Sequence, residues 1–124
     1  MTIQDWFQQA DYDYETAVYM FQGERYVYAV FMCHLAIEKA LKGILSKASD
    51  GPPPRIHSLI QLTKKAKLTR PDNICRFLVS LDHASIPTRY PESLATVQKI
   101  YTKEKTEEVL LQTKDVLAWL KKMF

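Results

Sequence analysis

The chain has 124 residues, 47% of them hydrophobic and 25% charged, which is the composition of one globular domain rather than of a disordered or fibrous chain. Its 17 basic and 14 acidic residues give a formal net charge of +3 at pH 7, a surplus that is compatible with a nucleic-acid partner but does not require one. No stretch approaches the roughly 20 apolar residues of a membrane span, and the first residues lack the regions of a signal peptide. We therefore expect one cytoplasmic domain over residues 1–124 with no membrane partner.

Helical spacing dominates the sequence. The chain has only three glycines, no useful alternating apolar run, and apolar residues three and four apart almost throughout. This pattern predicts an all-α fold, a compact up-and-down bundle of about five helices. Both cysteines, Cys33 and Cys75, lie inside such patterns, and we interpret them as core residues rather than as a disulfide.

The first two helices are predicted from long uninterrupted patterns. The first is predicted from about Thr2, a suitable N-cap, to Gly23. The second, from about Glu24 to Ala48, is apolar over so wide an arc that it is expected to be central. Small residues repeat every seven positions on one of its faces and leave room for another helix, either of this chain or of a second copy. These residues are Ala29, Ala36 and Gly43.

The middle of the chain is interrupted by prolines. The run DGPPPRIH, residues 50–57, ends the second helix because three successive prolines force extended backbone. HSLIQLTKKA then predicts a shorter third helix, and a fourth is predicted to begin after Pro71.

A second proline-rich segment, SIPTRYPES, covers residues 85–93. Pro87 and Pro91 predict that this segment is stiff and non-helical. Residues 92–101 favour neither helix nor loop. The last helix is predicted from about Thr102 to Met123 and should bury four residues, which are Val109, Val116, Leu120 and Phe124.

Two polar residues, His34 and Glu38, lie four apart at the centre of an apolar stripe in CHLAIEKALK. At 100° per residue they are about 40° apart on the helix, so both should point inward or into a cleft. A buried carboxylate without a partner would cost several kcal/mol, so the fold must bring Glu38 a donor or keep it near water.

Four side chains are candidate partners for Glu38: His34, Lys42, His57 and Arg89. Arg89 is favoured because a guanidinium binds a carboxylate in bidentate fashion and the flanking prolines would hold it in place. The cluster is either a structural tie between loop and bundle or a ligand-binding or catalytic site. A metal site is disfavoured, because no other helix carries a matching Glu/His motif.

Three motifs in this order resemble the HEPN domain family (higher eukaryotes and prokaryotes nucleotide-binding): AIEKALK in the second helix, then HSL, then RYP. The resemblance covers almost the whole chain. It implies a compact helical bundle, commonly homodimeric, often encoded beside a minimal nucleotidyltransferase in a two-component, toxin-antitoxin-like pair. The expected partners are therefore a second copy, a nucleotidyltransferase, and a nucleotide or RNA, with no cofactor.

The resemblance also raises the question of catalysis, since some HEPN proteins are metal-independent ribonucleases with an R-x(4-6)-H motif. The nearest match is Arg76 to His83 in RFLVSLDH. These positions share one face of a helix but are separated by about 10 Å of rise, too far to act on one atom without a break in the helix or a second subunit. The alternative interpretation is an ordinary solvated helix face.

Three functions follow from these observations. The first is a HEPN-like partner of a nucleotidyltransferase, with any nucleotide or RNA held near Glu38, His57, Arg89 and Tyr90. The second is a metal-independent endoribonuclease that uses Arg76 and His83. The third is a helical scaffold without chemistry. Lysines and arginines spread along the chain would suit phosphate contacts, but ordinary surface charge explains most of them.

Overall fold

The computed structural model describes residues 1–49 and 51–124. Within these ranges the chain forms six helices and no strand, which confirms the predicted all-α bundle with one short helix more than expected. No helix in this part of the chain is both long enough and apolar enough to cross a bilayer. The helices are α1 (Ile3–Gln22), α2 (Tyr26–Ser49), α3 (Leu59–Lys65), α4 (Asp72–Arg89), α5 (Leu94–Ile100) and α6 (Lys103–Lys122).

Side-chain caps set the starts of α1 and α6 where the sequence predicts them. The Thr2 hydroxyl accepts a hydrogen bond from the Asp5 amide (3.1 Å), and the Asp5 carboxylate accepts one from the Thr2 amide (2.8 Å). This reciprocal pair is a capping box and satisfies two amides that the helix itself leaves without acceptors. At α6 the Thr102 hydroxyl accepts from the Lys105 amide (3.2 Å).

The central helix is α2, as predicted, and it packs against α1, α3, α4 and α6. The close approach expected on its small-residue face is made by α1 of the same chain. A Cβ atom added to Gly43 would lie 2.5 Å from Cβ of Trp6, which is too close for any real side chain. Lys39 of α2 reinforces the pair by an ion pair with the buried Asp13 of α1, with Nζ and Oδ2 2.9 Å apart.

The prediction that SIPTRYPES is non-helical is wrong for residues 85–89, because α4 continues through Pro87 to Arg89, and it is confirmed for residues 90–93. Proline removes only the one N–H that would donate to the His83 carbonyl. The next residue, Thr88, is buried and its hydroxyl donates to the Ala84 carbonyl (2.6 Å), which supports the last turn. The helix then stops before Pro91, since a residue that precedes proline disfavours helical backbone.

Two smaller predictions concern the end of the chain. Residues 94–100 of the undecided stretch form α5, capped by the Ser93 hydroxyl, which accepts from the Thr96 amide. Phe124 was expected to be buried but is 49% exposed, with Lys47 Nζ 5.7 Å from its ring centre. It lies beyond the last turn of α6, where no helix covers it. The other three predicted core residues, Val109, Val116 and Leu120, are buried.

Both cysteines are free thiols. Cys33 is fully buried in the core, and burial raises the pKa of its thiol to about 12. Cys75 is half-buried on α4. The core interpretation is therefore confirmed for Cys33 and holds in part for Cys75.

Candidate functional site

The two polar residues of α2 point into the junction of α2, α3 and α4. His34 is 3% exposed and Glu38 is 4% exposed, so both lie inside the bundle as their helical positions predict. The chain therefore has to compensate a buried carboxylate in this place.

Lys42 and His57 provide that compensation. Lys42 lies one turn along α2, and its Nζ donates to Glu38 Oε2 at 2.9 Å. His57, just before α3, places Nδ1 3.1 Å from the same oxygen. The other oxygen, Oε1, is 3.7 Å from His34 Nδ1 and has no hydrogen-bond partner among the described residues. The cluster is thus a tie between α2 and the loop that leads into α3.

Asp82 of α4 is the most connected member of the site, and the sequence analysis missed it. Its carboxylate accepts from the amides of Leu59 (2.8 Å) and Ile60 (3.2 Å) and from the Ser58 hydroxyl (3.0 Å). The same carboxylate lies 3.1 Å from Nε2 of His34. Burial alone would raise its pKa, but these hydrogen bonds outweigh burial and hold the pKa of Asp82 below the ordinary value.

A sequence signal for Asp82 does exist. The residue follows Leu81 directly and comes four positions after Leu78, and both leucines are buried. An acidic residue at such a position faces the core side of a helix, which is the same observation that singled out Glu38.

The predicted Glu38–Arg89 ion pair does not form. Because α4 remains helical through Pro87, Arg89 stays on its last turn, and its guanidinium lies over the Phe31 ring with Cζ 4.7 Å from the ring centre. Lys42 already neutralises Glu38 from within α2. Arg89 therefore makes a cation–π contact and remains exposed.

A groove of about 300 Å³ runs between the start of α3 and the end of α4. It is lined by four of the six residues of the predicted polar cluster and by Asp82, while Glu38 and Lys42 lie behind it. Its lining comprises His34, His57, Ser58, Asp82, Ser85, Ile86, Arg89 and Tyr90. The side chain of His57 is 65% exposed and Tyr90 is 73% exposed, so these residues and Arg89 form its accessible rim.

On the far side of Ile86 and Tyr90 a second groove, of about 480 Å³, separates α4 from α5. Two large apolar side chains that line this groove are accessible, with Ile86 71% and Ile100 55% exposed, and Leu94 at the start of α5 is 52% exposed. Large exposed apolar patches are typical of interaction surfaces.

Arg76 and His83 lie on α4, and both are exposed. They are seven residues apart, which separates them by about 10 Å along the helix axis. Val79, 40% exposed, lies between them. The structure therefore places the two residues on one accessible stripe, and a catalytic role for them stays a prediction.

No three His, Cys, Asp or Glu side chains within residues 1–49 and 51–124 are grouped to hold a metal ion. The buried carboxylate of Glu38 and the half-buried one of Asp82 are instead paired with lysine, histidine and backbone donors of the chain itself.

The helix arrangement and the groove define a small all-α protein whose buried polar cluster ties three helices together and opens to solvent. The chain belongs to the HEPN family, because the HEPN domain model matches residues 3–123. The resemblance seen in the sequence motifs is therefore confirmed, and it places the chain in a nucleotide-binding and ribonuclease-like family.

Two solved structures are similar over nearly the full length. One is ST0689, an archaeal HEPN homologue, with 30% sequence identity, 99% of this chain and 98% of that chain covered, and a TM-score of 0.79. The other is TT1696 from Thermus thermophilus, with 28% identity, 98% of each chain covered, and a TM-score of 0.83. The comparison with curated proteins gives no significant match.

Proposed function

We propose that the groove between α3 and α4 binds the phosphate of a nucleotide or RNA, and that the protein is the partner of a minimal nucleotidyltransferase in a two-component, toxin-antitoxin-like system. The observation that carries the binding proposal is the position of Arg89. Its guanidinium is held over the Phe31 ring at the rim of the groove, beside the exposed Tyr90 and His57.

The chemistry of the rim suits a nucleotide. A guanidinium stacked on an aromatic ring keeps its N–H edges free for two phosphate oxygens. An exposed tyrosine ring such as Tyr90 offers a face on which a base can stack, with a gain of about 1–3 kcal/mol per base. The carboxylates of Glu38 and Asp82 are already engaged by Lys42, His34 and backbone amides, which limits their repulsion of a phosphate.

We propose a homodimer that forms through α4 and α5. The small-residue face of α2, which the sequence left open to a helix of this chain or of a second copy, meets α1 of the same chain at Gly43, and most apolar residues of α2 are buried in the bundle. The exposed apolar residues Ile86, Leu94 and Ile100 are what a second copy would cover.

The nucleotidyltransferase partner is supported by the HEPN family membership, and co-purification with a small nucleotidyltransferase encoded next to this gene would test it.

Arg89→Ala is expected to weaken nucleotide binding at least about tenfold, because a charge-assisted hydrogen-bond pair is worth roughly 1.5–3 kcal/mol. Isothermal titration with ATP and with a short single-stranded RNA measures this. Arg25→Ala, which removes another exposed arginine from the α1–α2 turn, is the matched control and should bind like wild type. Equal binding by the Arg89 variant, or no binding by wild type, would contradict the proposal.

A metal-independent endoribonuclease is the second candidate function. The observation that favours it is the shared exposed stripe of Arg76, Val79 and His83, which continues into Ile86 and Tyr90. A two-fold contact through this face would bring two Arg76/His83 pairs to one cleft. There His83 would transfer a proton and Arg76 would hold the phosphate.

His83→Ala is expected to lower RNA cleavage at least about a hundredfold, the usual loss when a general acid or base is removed. Cleavage should persist in EDTA and should be lost in a monomeric Ile86→Asp variant, with sedimentation reporting the oligomeric state. Lys114→Ala on α6 is the control. Cleavage that His83→Ala leaves intact removes these residues from the mechanism, and no cleavage by wild type favours the partner-binding function.

A further inference from the structure

We propose that the outer face of α1 is a docking surface for a basic helix of a partner protein. This surface, here called the α1 outer stripe, consists of Gln8, Tyr12, Glu15, Tyr19 and Gln22, which recur at helical spacing and are all exposed. The inference is independent of any ligand of the groove, which is built from α2, α3 and α4.

The packing of α1 fixes which of its sides is free. Trp6 packs at Gly43 of α2, and the Tyr14 hydroxyl donates to the Leu110 carbonyl of α6 at 3.1 Å. The α1 outer stripe lies on the other side of the helix, where Tyr12 is 70% exposed and Tyr19 is 74% exposed. Two large aromatic side chains thus stand seven residues apart on one accessible face, about 10 Å apart along the axis.

The start of the chain, which contains α1, is rich in acidic residues. The first 24 residues include five acidic residues and no lysine or arginine. Three of the five are already paired within the fold: Asp5 in the capping box, Asp11 with Lys121, and Asp13 with Lys39. Glu15, between the two tyrosines, forms no ion pair within the described part of the chain.

Two exposed tyrosines with the Glu15 carboxylate between them suit a cationic helix of a partner protein. Arg and Lys side chains bind over tyrosine faces by cation–π attraction and pair with a carboxylate between them. Tyrosines also bury a large area with few rotatable bonds, which is why they are enriched at protein interfaces. RNA is a poor fit, because α1 has no lysine or arginine to contact a phosphate. A two-fold contact with a second copy would bring two Glu15 carboxylates together, which is unfavourable.

The test uses a labelled synthetic helical peptide with Arg at positions i and i+7 and Leu at i+3 and i+4, titrated with the full-length protein and followed by fluorescence anisotropy. Tyr12→Ala and Tyr19→Ala should each weaken binding at least about fivefold, and Glu15→Lys at least about tenfold, the scale of interface anchor residues. Glu107→Lys, the same charge change at an exposed site on α6, should bind within about twofold of wild type.

Several outcomes would overturn the inference. Wild-type protein that fails to bind the peptide, or tyrosine variants that bind it normally, would remove the docking surface. An equal loss in Glu107→Lys would show attraction by net charge alone. Sedimentation showing that Tyr12→Ala or Tyr19→Ala breaks a dimer would assign the face to a second copy, and loss of RNA binding in these variants would assign it to nucleic acid.

Discussion

Replacement of Asp82 by alanine is expected to lower the free energy of unfolding by about 3 kcal/mol, because several donors lose their acceptor at once. The amides of Leu59 and Ile60 and the Ser58 hydroxyl all donate to this carboxylate, and the His34 ring, 3% exposed, lies against it. Urea denaturation followed by circular dichroism measures the loss. Asp115→Ala, at an exposed position of α6, should change stability by less than about 0.5 kcal/mol.

The contribution of Asp82 should also depend on pH with a definite sign. Its pKa is lowered in the folded protein, so its stabilisation is complete above the ordinary carboxyl value of 3.8 and is lost as the pH falls through the lower folded-state pKa. The stability difference between wild type and Asp82→Asn should therefore shrink in acid. A difference that is constant from neutral pH to strong acid would mean that the charge of Asp82 contributes nothing.

Gly43→Val is expected to destabilise the protein by about 3 kcal/mol, because the new Cβ would meet Trp6 Cβ at 2.5 Å and force α1 away from α2. Valine gains only a few tenths of a kcal/mol over glycine in helix propensity, which is too little to offset the clash. Thermal and urea unfolding measure the effect.

Gly23→Ala is the matched control for this prediction. A Cβ at Gly23 meets nothing closer than 3.6 Å, and its φ of −85° suits any residue, so the change should be neutral or slightly stabilising. The nearest atom to the Gly43 position is Cβ of Trp6 itself, so Trp6→Ala should not rescue Gly43→Val, whereas Trp6→Gly should show coupling with it. A Gly43→Val variant as stable as wild type would show that the two helices can separate freely.

Most helices were predicted correctly because their signals are local in the sequence. The contacts of the site join residues far apart in the sequence, and these were predicted poorly. The threonines at positions 2 and 102 mark helix starts because a cap acts on amides only two or three residues away. The predicted break at Pro87 is wrong because a proline near the end of a helix removes only one donor. The hydroxyl of Thr88 stabilises the final turn. Periodicity alone showed that α2 is central and that His34 and Glu38 point inward.

The sequence supplied the candidate partners of Glu38 but could not choose among them. Arg89 was the favoured one of the four, yet the carboxylate pairs with two of the others, Lys42 one turn away and His57. His34 and Asp82 are 48 residues apart, and nothing in either local segment encodes how α2 and α4 pack together. Helical periodicity gives the face on which a side chain lies, whereas its partner depends on the arrangement of whole helices.

The position of Asp82 against the first turn of α3 has an electrostatic consequence for ligand recognition. The start of a helix normally carries about half a positive charge and is a ready anion site. Here the amides of Leu59 and Ile60 donate to the carboxylate of Asp82. Asp82 therefore takes the place that a phosphate would bind at the start of α3. A nucleotide bound at the proposed site would therefore have to find its positive charge in a side chain, and the arginine that lines this groove is Arg89 of α4.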